Sequence, residues 1–180
     1  MKSWMNALPT PCYVVDEGRL ISNLTQLKSV AERSGCKVLL AQKAFSMYSL
    51  YPLMREFLHG TAASGLFEAK LGAEHFGGET HVYSPAYKAE DMAEITRLCG
   101  HVVFNSFAQW ERFGRQALDA GFECGLRINP ECSTQTHAIY DPCAPGSRLG
   151  ITAANFQPGK LNGITGLHMH TLCEQNADAL

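Results

Sequence analysis

The sequence predicts a parallel α/β fold, and two observations carry that prediction. Short apolar runs of strand length alternate with longer stretches whose apolar residues recur at helical spacing, which is the pattern of repeated β/α units. The runs also close on polar residues: Lys43, Ser64, Ser84, Asn105, Arg127 with Asn129, and His168 with His170. In a barrel of parallel strands, that C-terminal rim is where function sits.

The elements follow in order. CYVVD (12–16) reads as a short strand. A helix is predicted from 16 to about 34, because Leu20, Leu24, Leu27, Val30 and Ala31 keep a helical apolar spacing. Asp16 suits its N-cap and Gly35 its stop. KVLLAQ (37–42) lacks clear alternation and reads as a strand covered on both faces. A helix over 48–58, stopped by Gly60, leads to a strand at 60–64 and a helix through 67–76. Strand 80–85 precedes helix 89–98, and strand 101–106 precedes helix 108–120. Strand 124–130 opens a long loop rich in Cys, Thr, Pro and Gly, reaching about 160. The last strand is 163–170, and a helix is expected to begin at Glu174. No low-complexity linker or charge run divides the chain, so one domain is expected.

Two architectures fit this alternation, an open doubly wound sheet and a (β/α)8 barrel. No GxGxxG follows the first strand, which weakens dinucleotide binding in an open sheet. Six strands are too few to close an eight-unit barrel, which typically needs about 250 residues. The expectation is an incomplete (β/α)8 barrel with about six of its eight units, ending where a seventh strand should come.

Composition narrows the function classes. The 180 residues are 46% hydrophobic and 18% charged, with a net charge of −2, an ordinary globular balance. A near-neutral chain gives no support for nucleic-acid binding. The apolar runs are too short and interrupted to span a bilayer. Asn6, Pro9 and Pro11 break the N-terminal stretch, which argues against a signal peptide. Seven cysteines are odd in number, scattered and never in a CxxC pair. They read as free thiols of a cytoplasmic protein rather than a disulfide framework or a zinc site.

The candidate chemistry begins with Lys43. An amine partly desolvated at a strand end loses affinity for its proton and becomes a nucleophile toward an aldehyde; the competing reading is an ordinary surface lysine. His168 and His170 alternate on one strand and can face the same side. They fit core histidines, metal ligands helped by nearby Cys173 and Glu174, or a ring stacked on a cofactor. Arg127 and Arg148 suit a carboxylate or phosphate as well as a structural ion pair. Cys143 lies in the turn-rich loop DPCAPGSR without an identifiable base, a weak nucleophile candidate. His59, His75, His81, His101 and His137 read as surface or satisfied residues, and Trp110 with Phe113 as core.

Taken together, TPCYVVDEGRLISNL, LLAQKAFS, GTAASGLFEAKLG, VYSPAYK, VFNSFAQWERF, GLRINPE, PCAPGSRLG and GLHMHTLCEQNADAL occur in one order. Over essentially the whole chain they resemble the carboxynorspermidine (carboxyspermidine) decarboxylases. These are fold type III, alanine racemase-like pyridoxal-phosphate enzymes. The resemblance implies pyridoxal 5'-phosphate as cofactor and Lys43 as the lysine that carries it. It further implies His168 stacked on the cofactor face, Arg127 beneath the cofactor and Ser64 near the ring, with Arg148 and Thr171 in rim segments. It implies a carboxypolyamine substrate, norspermidine or spermidine as product, and a homodimer for the full-length family. No metal ligand is implied. Family members are about twice as long, so residues 1–180 are expected to form the N-terminal portion of the cofactor-binding barrel domain. The C-terminal β domain that would pair with CYVVD is expected to lie outside them. So are the late phosphate loops, the acidic residue facing the pyridine nitrogen and the cysteine supplied across the dimer. Inactivity of this chain alone is therefore expected. A non-catalytic pyridoxal-phosphate-binding remnant and a metal hydrolase using His168 and His170 remain as alternatives.

Overall fold

The computed structural model describes residues 3–177. Its centre is one six-stranded sheet with every neighbouring pair parallel: β1 (Leu39–Ala41), β2 (Gly60–Ala63), β3 (Glu79–Tyr83), β4 (His101–Phe104), β5 (Glu123–Arg127) and β6 (Ile164–His168). The strands lie in chain order, with β1 and β6 at the two edges. Parallel neighbours need a crossover between them, and helices supply most of these: α2 (Tyr51–Met54), α3 (Leu66–Leu71), α4 (Ala89–Leu98) and α5 (Phe107–Asp119). Helix α1 (Glu17–Ser34) precedes β1.

Alternation along the strands sorts the side chains into two faces. Thr80, Val82, Val102, Phe104, Cys124 and Leu126 are buried toward the helices, where Met92, Ile95, Phe113 and Ala117 complete the main core. Each fully buried large apolar side chain contributes roughly 1.5–3 kcal/mol. A second cluster of Leu24, Leu40, Tyr51, Met54, Leu58 and Phe76 seats α1 and α2 on β1. The opposite face carries Glu79, His81, Tyr83, His101, Arg127 and His168. KVLLAQ is therefore covered on one face only: Leu40 and Gln42 are buried while Ala41 is exposed.

The helix α1 caps match the sequence reading. Asp16 accepts the Arg19 N–H at 3.1 Å, and Gly35 closes the helix in the left-handed region at φ 71°. Its apolar stripe is narrower than predicted. Leu24 and Ala31 are buried, whereas Leu27 and Val30 are 42% and 49% exposed. Val30 sits about 120° round the helix from Leu24, off the face that meets the sheet.

Four other expectations fail locally. CYVVD forms no strand, with Tyr13 and Val14 exposed. The 48–58 helix is a 3-10 turn, Tyr48–Leu50, followed by the single turn α2. Pro52 lacks an N–H and fits only a first helical turn, which fixes where α2 starts. The 67–76 helix changes to π at Gly72–Phe76, where Gly72 meets β2 so closely that a Cβ would lie 2.4 Å from Thr61 Oγ1. Around Glu174 the chain makes a turn, and the rest of the expected helix lies partly outside the described residues. Among the described residues, no helix is long and apolar enough to cross a membrane.

Candidate active site

A cleft of about 430 Å³ opens at the C-terminal ends of the strands, on the face away from the helices. Of the sequence candidates, Lys43, Ser64, Arg127 and His168 line it together, as does His170. Lys43 lies two residues beyond β1. The preceding Gln42 is buried: its amide donates to the Glu68 carbonyl at 2.8 Å and accepts from the Tyr51 hydroxyl at 3.3 Å. That clamp sets the turn from which Lys43 projects. The desolvation expected for Lys43 is not found, since its side chain is exposed. Ser64 follows β2, and its N–H donates to Glu68 Oε2 at 2.6 Å.

Arg127 ends β5 and is only 6% exposed. Its guanidinium lies over the Tyr83 ring, 4.8 Å from the centroid. Among the described residues, no carboxylate lies within ion-pair distance of it. His168 ends β6 and meets the same Tyr83 edge-on at 5.0 Å. Its Nδ1 is buried without a hydrogen-bond partner. Burial, reinforced by Arg127, His170 and Lys43, lowers the His168 pKa to about 4. His168 is thus a neutral ring at pH 7. His170 is lowered in the same direction, chiefly by burial.

The cleft's outer wall comes from the long β5–β6 connection through Ile139, Tyr140, Asp141 and Pro142. Ile151 returns this segment to the sheet by bridging Ile128, with its N–H donating to the Arg127 carbonyl at 2.9 Å. Asn105 fastens it: Oδ1 accepts from the Tyr83 hydroxyl at 2.8 Å and the Gly150 N–H at 2.7 Å, while Nδ2 donates to the Arg148 carbonyl at 2.8 Å.

Two candidates lie apart. Arg148 lines a separate depression beside Asn105 and Ser106. Thr171 is not part of the cleft lining; its carbonyl accepts from the Ser133 hydroxyl at 3.4 Å. Cys143 is buried, and desolvation with the nearby Asp141 charge pushes its thiol pKa up, the wrong direction for a nucleophile. Among the described residues, His168 and His170 form no cluster of three metal-ligating groups. Tyr83 and Asp141 are not among the sequence candidates. The alternation of β3 could have flagged Tyr83, because it places that ring on the same face as Glu79 and His81.

No family model matches the sequence. The fold itself is shared with diaminopimelate decarboxylase from Helicobacter pylori (TM-score 0.76, 18% identity, 94% of this chain and 46% of that one). The class defined by this architecture is thus a parallel β/α domain, and that likeness shows the fold alone. Closer likenesses narrow it. The crystal structure of carboxynorspermidine decarboxylase from Campylobacter jejuni, complexed with norspermidine, superposes with a TM-score of 0.86 at 42% identity, over 96% of this chain and 44% of that one. A carboxynorspermidine/carboxyspermidine decarboxylase of Campylobacter jejuni is 45% identical over 173 residues, 96% of this chain and 45% of the relative. A carboxyaminopropylagmatine decarboxylase of Synechocystis is 41% identical over 176 residues, 98% of this chain and 46% of the relative. The chain is a homologue of the carboxynorspermidine/carboxyspermidine decarboxylases, and it spans about half the length of the relatives it matches.

Proposed function

We propose that these 180 residues are the lysine-bearing portion of a pyridoxal-phosphate-dependent decarboxylase of polyamine synthesis. The substrate class is a carboxylated polyamine, carboxynorspermidine or carboxyspermidine, with norspermidine or spermidine as product. The Synechocystis relative acts, by its name, on carboxyaminopropylagmatine, which belongs to the same chemical class.

The observation that carries this reading is the convergence, in one cleft, of an exposed amine, a buried guanidinium with no carboxylate partner among the described residues, and a neutral imidazole. These residues fit pyridoxal phosphate. Lys43 offers the amine for an aldehyde, Arg127 a planar cation to lie against the ring, and His168 a flat uncharged face with an unsatisfied nitrogen. Bound there, the cofactor would supply a ring that delocalises the electron pair left when CO2 departs. The chain's own residues bind and orient. Tyr83 holds Arg127 and His168 in place from beneath, and Ser64 lies at the cleft wall. Asp141, the acidic residue in the lining, offers its carboxylate to a substrate ammonium while its Oδ1 accepts the Cys143 N–H at 2.8 Å.

In this reading the chain is six units of a (β/α)8 barrel, and a homodimer of the full-length protein would carry the reaction. The 180 residues alone then bind cofactor without releasing CO2. Incubation of the purified chain with pyridoxal phosphate, borohydride reduction and peptide mapping tests the reading. Label concentrated on Lys43, and lost in Lys43→Ala, is the expected result. Label spread over the other lysines in proportion to their exposure would sink it.

A further inference from the structure

The face that carries the cleft holds a second group of side chains at the opposite, N-terminal ends of the strands. Glu79 and His81 come from β3 and His101 from β4. Each offers one ligand atom, and these atoms lie within 4.8 Å of one another. His81 Nε2 is 3.1 Å and His101 Nε2 3.9 Å from the same oxygen, Glu79 Oε2. The other carboxylate oxygen, Oε1, is held by Lys37 Nζ. On the far side of its ring, His101 Nδ1 lies 3.5 Å from Glu123 Oε2.

We propose that Glu79, His81 and His101 form a binding site for a divalent transition-metal ion of the Zn2+ type, separate from the Lys43 cleft. Two imidazoles and a carboxylate are a donor set that zinc takes, with a fourth position left to water. The outer partners are in place as well. Glu123 Oε2, 3.5 Å from His101 Nδ1, stands where it favours the tautomer with the proton on Nδ1, leaving the Nε2 lone pair facing Glu79 Oε2, the carboxylate–histidine–metal arrangement. Lys37 fixes the rotation of the Glu79 carboxylate and keeps its second oxygen occupied. A cavity of about 470 Å³ beside the two histidines, also lined by Glu123 and Gly166, leaves room for water on the fourth position.

Metal entry requires a defined local change. The two rings are stacked at 3.8 Å and 18°, so their in-plane lone pairs run side by side. A tetrahedral ion with bonds of about 2 Å holds its ligand atoms roughly 3.3 Å apart. The His81–Glu79 spacing already meets this. His101 must tilt and close by about half an ångström. At this end of the strands, away from the Lys43 cleft, such an ion would tie β3 to β4.

The test is titration of the chelator-dialysed, tag-free chain with Co2+ and Zn2+, following visible Co2+ absorption and heat. One equivalent is expected, without the near-ultraviolet band of a thiolate ligand, which distinguishes this site from metal caught by the exposed Cys12, Cys36 or Cys132. His81→Gln and His101→Gln should each weaken binding by about tenfold or more. Lys37→Gln, which removes the neighbouring positive charge, should strengthen it. Binding unchanged in both histidine variants, or carrying a thiolate band, would overturn the proposal. Should those variants fail to fold, imidazole 15N spectra of the unaltered chain decide: Zn2+ must shift the Nε2 signals of His81 and His101, and static signals overturn it.

Discussion

At the scale of single residues, His168 shows how burial prepares a side chain for contact rather than for charge. An unfolded histidine takes its proton near the ordinary 6.5, whereas His168 in the fold does so only at about 4. Between those values the unfolded state holds more protons, so stability rises with pH across that window and is lost as pH falls through it. Other groups titrate there too, so the informative quantity is a difference. His168→Phe keeps an aromatic edge against Tyr83 and removes both the titrating group and the unsatisfied Nδ1. Urea midpoints of the two chains should diverge in favour of the variant as pH falls from 6.5 toward 4. A gap that stays constant with pH would show that His168 does not titrate in the way its surroundings dictate.

At the scale of elements, the β5–β6 connection walls the cleft, through Ile139 and Tyr140 of a short 3-10 turn and then Asp141 and Pro142. Asn105 holds it at its C-terminal end, satisfying the Tyr83 hydroxyl, the Gly150 N–H and the Arg148 carbonyl at once. Asn105→Ala leaves those partners unpaired near the surface of the core, a loss of about 3 kcal/mol. It should also open residues 130–150 to protease while β3 and α4 stay protected; an unchanged digestion pattern would refute the fastening role. Gly150 explains why the return is narrow. It adopts φ 85°, and a Cβ there would sit 2.9 Å from the Ile128 carbonyl carbon.

Elements with strong periodicity were legible in the sequence: α4 spans 89–98 as read, and α1 has both of its predicted caps. The strand ends were read one to three residues too long, because polar rim residues such as Asn105 and Asn129 belong to turns rather than to ladders. Of the rim, Lys43, Ser64, Arg127, His168 and His170 reach the cleft, but Ser84 turns back to the Ala86 carbonyl and Asn129 to the Glu131 N–H. Spacing alone cannot tell a side chain that faces a cleft from one that closes its own turn. Nor could it reveal the His81–His101 stack, which depends on the β3–β4 register pairing those two positions.

At the scale of the whole molecule, the sheet is covered unevenly. Leu126 on β5 is fully buried under the helices, while Leu167, its register partner on β6, points to the same side and is 60% exposed. Beside Leu167, a largely apolar hollow of about 320 Å³ is lined by Ile128, Pro130, Ile151, Ala153 and Phe156. Backbone at an edge strand offers unpaired donors and acceptors, and an apolar patch beside it adds a hydrophobic drive to association. The 180-residue chain should therefore self-associate as its concentration rises. Leu167→Lys should push that association to higher concentration, because a charge on the uncovered face opposes both edge pairing and apolar contact. Near-UV circular dichroism should stay unchanged, since Leu167 lies outside the buried core. Sedimentation velocity over a concentration series reads the effect directly. A chain that remains monomeric throughout, or a variant that associates as strongly as the parent, would mean that the β6 face is not the surface through which this molecule seeks cover.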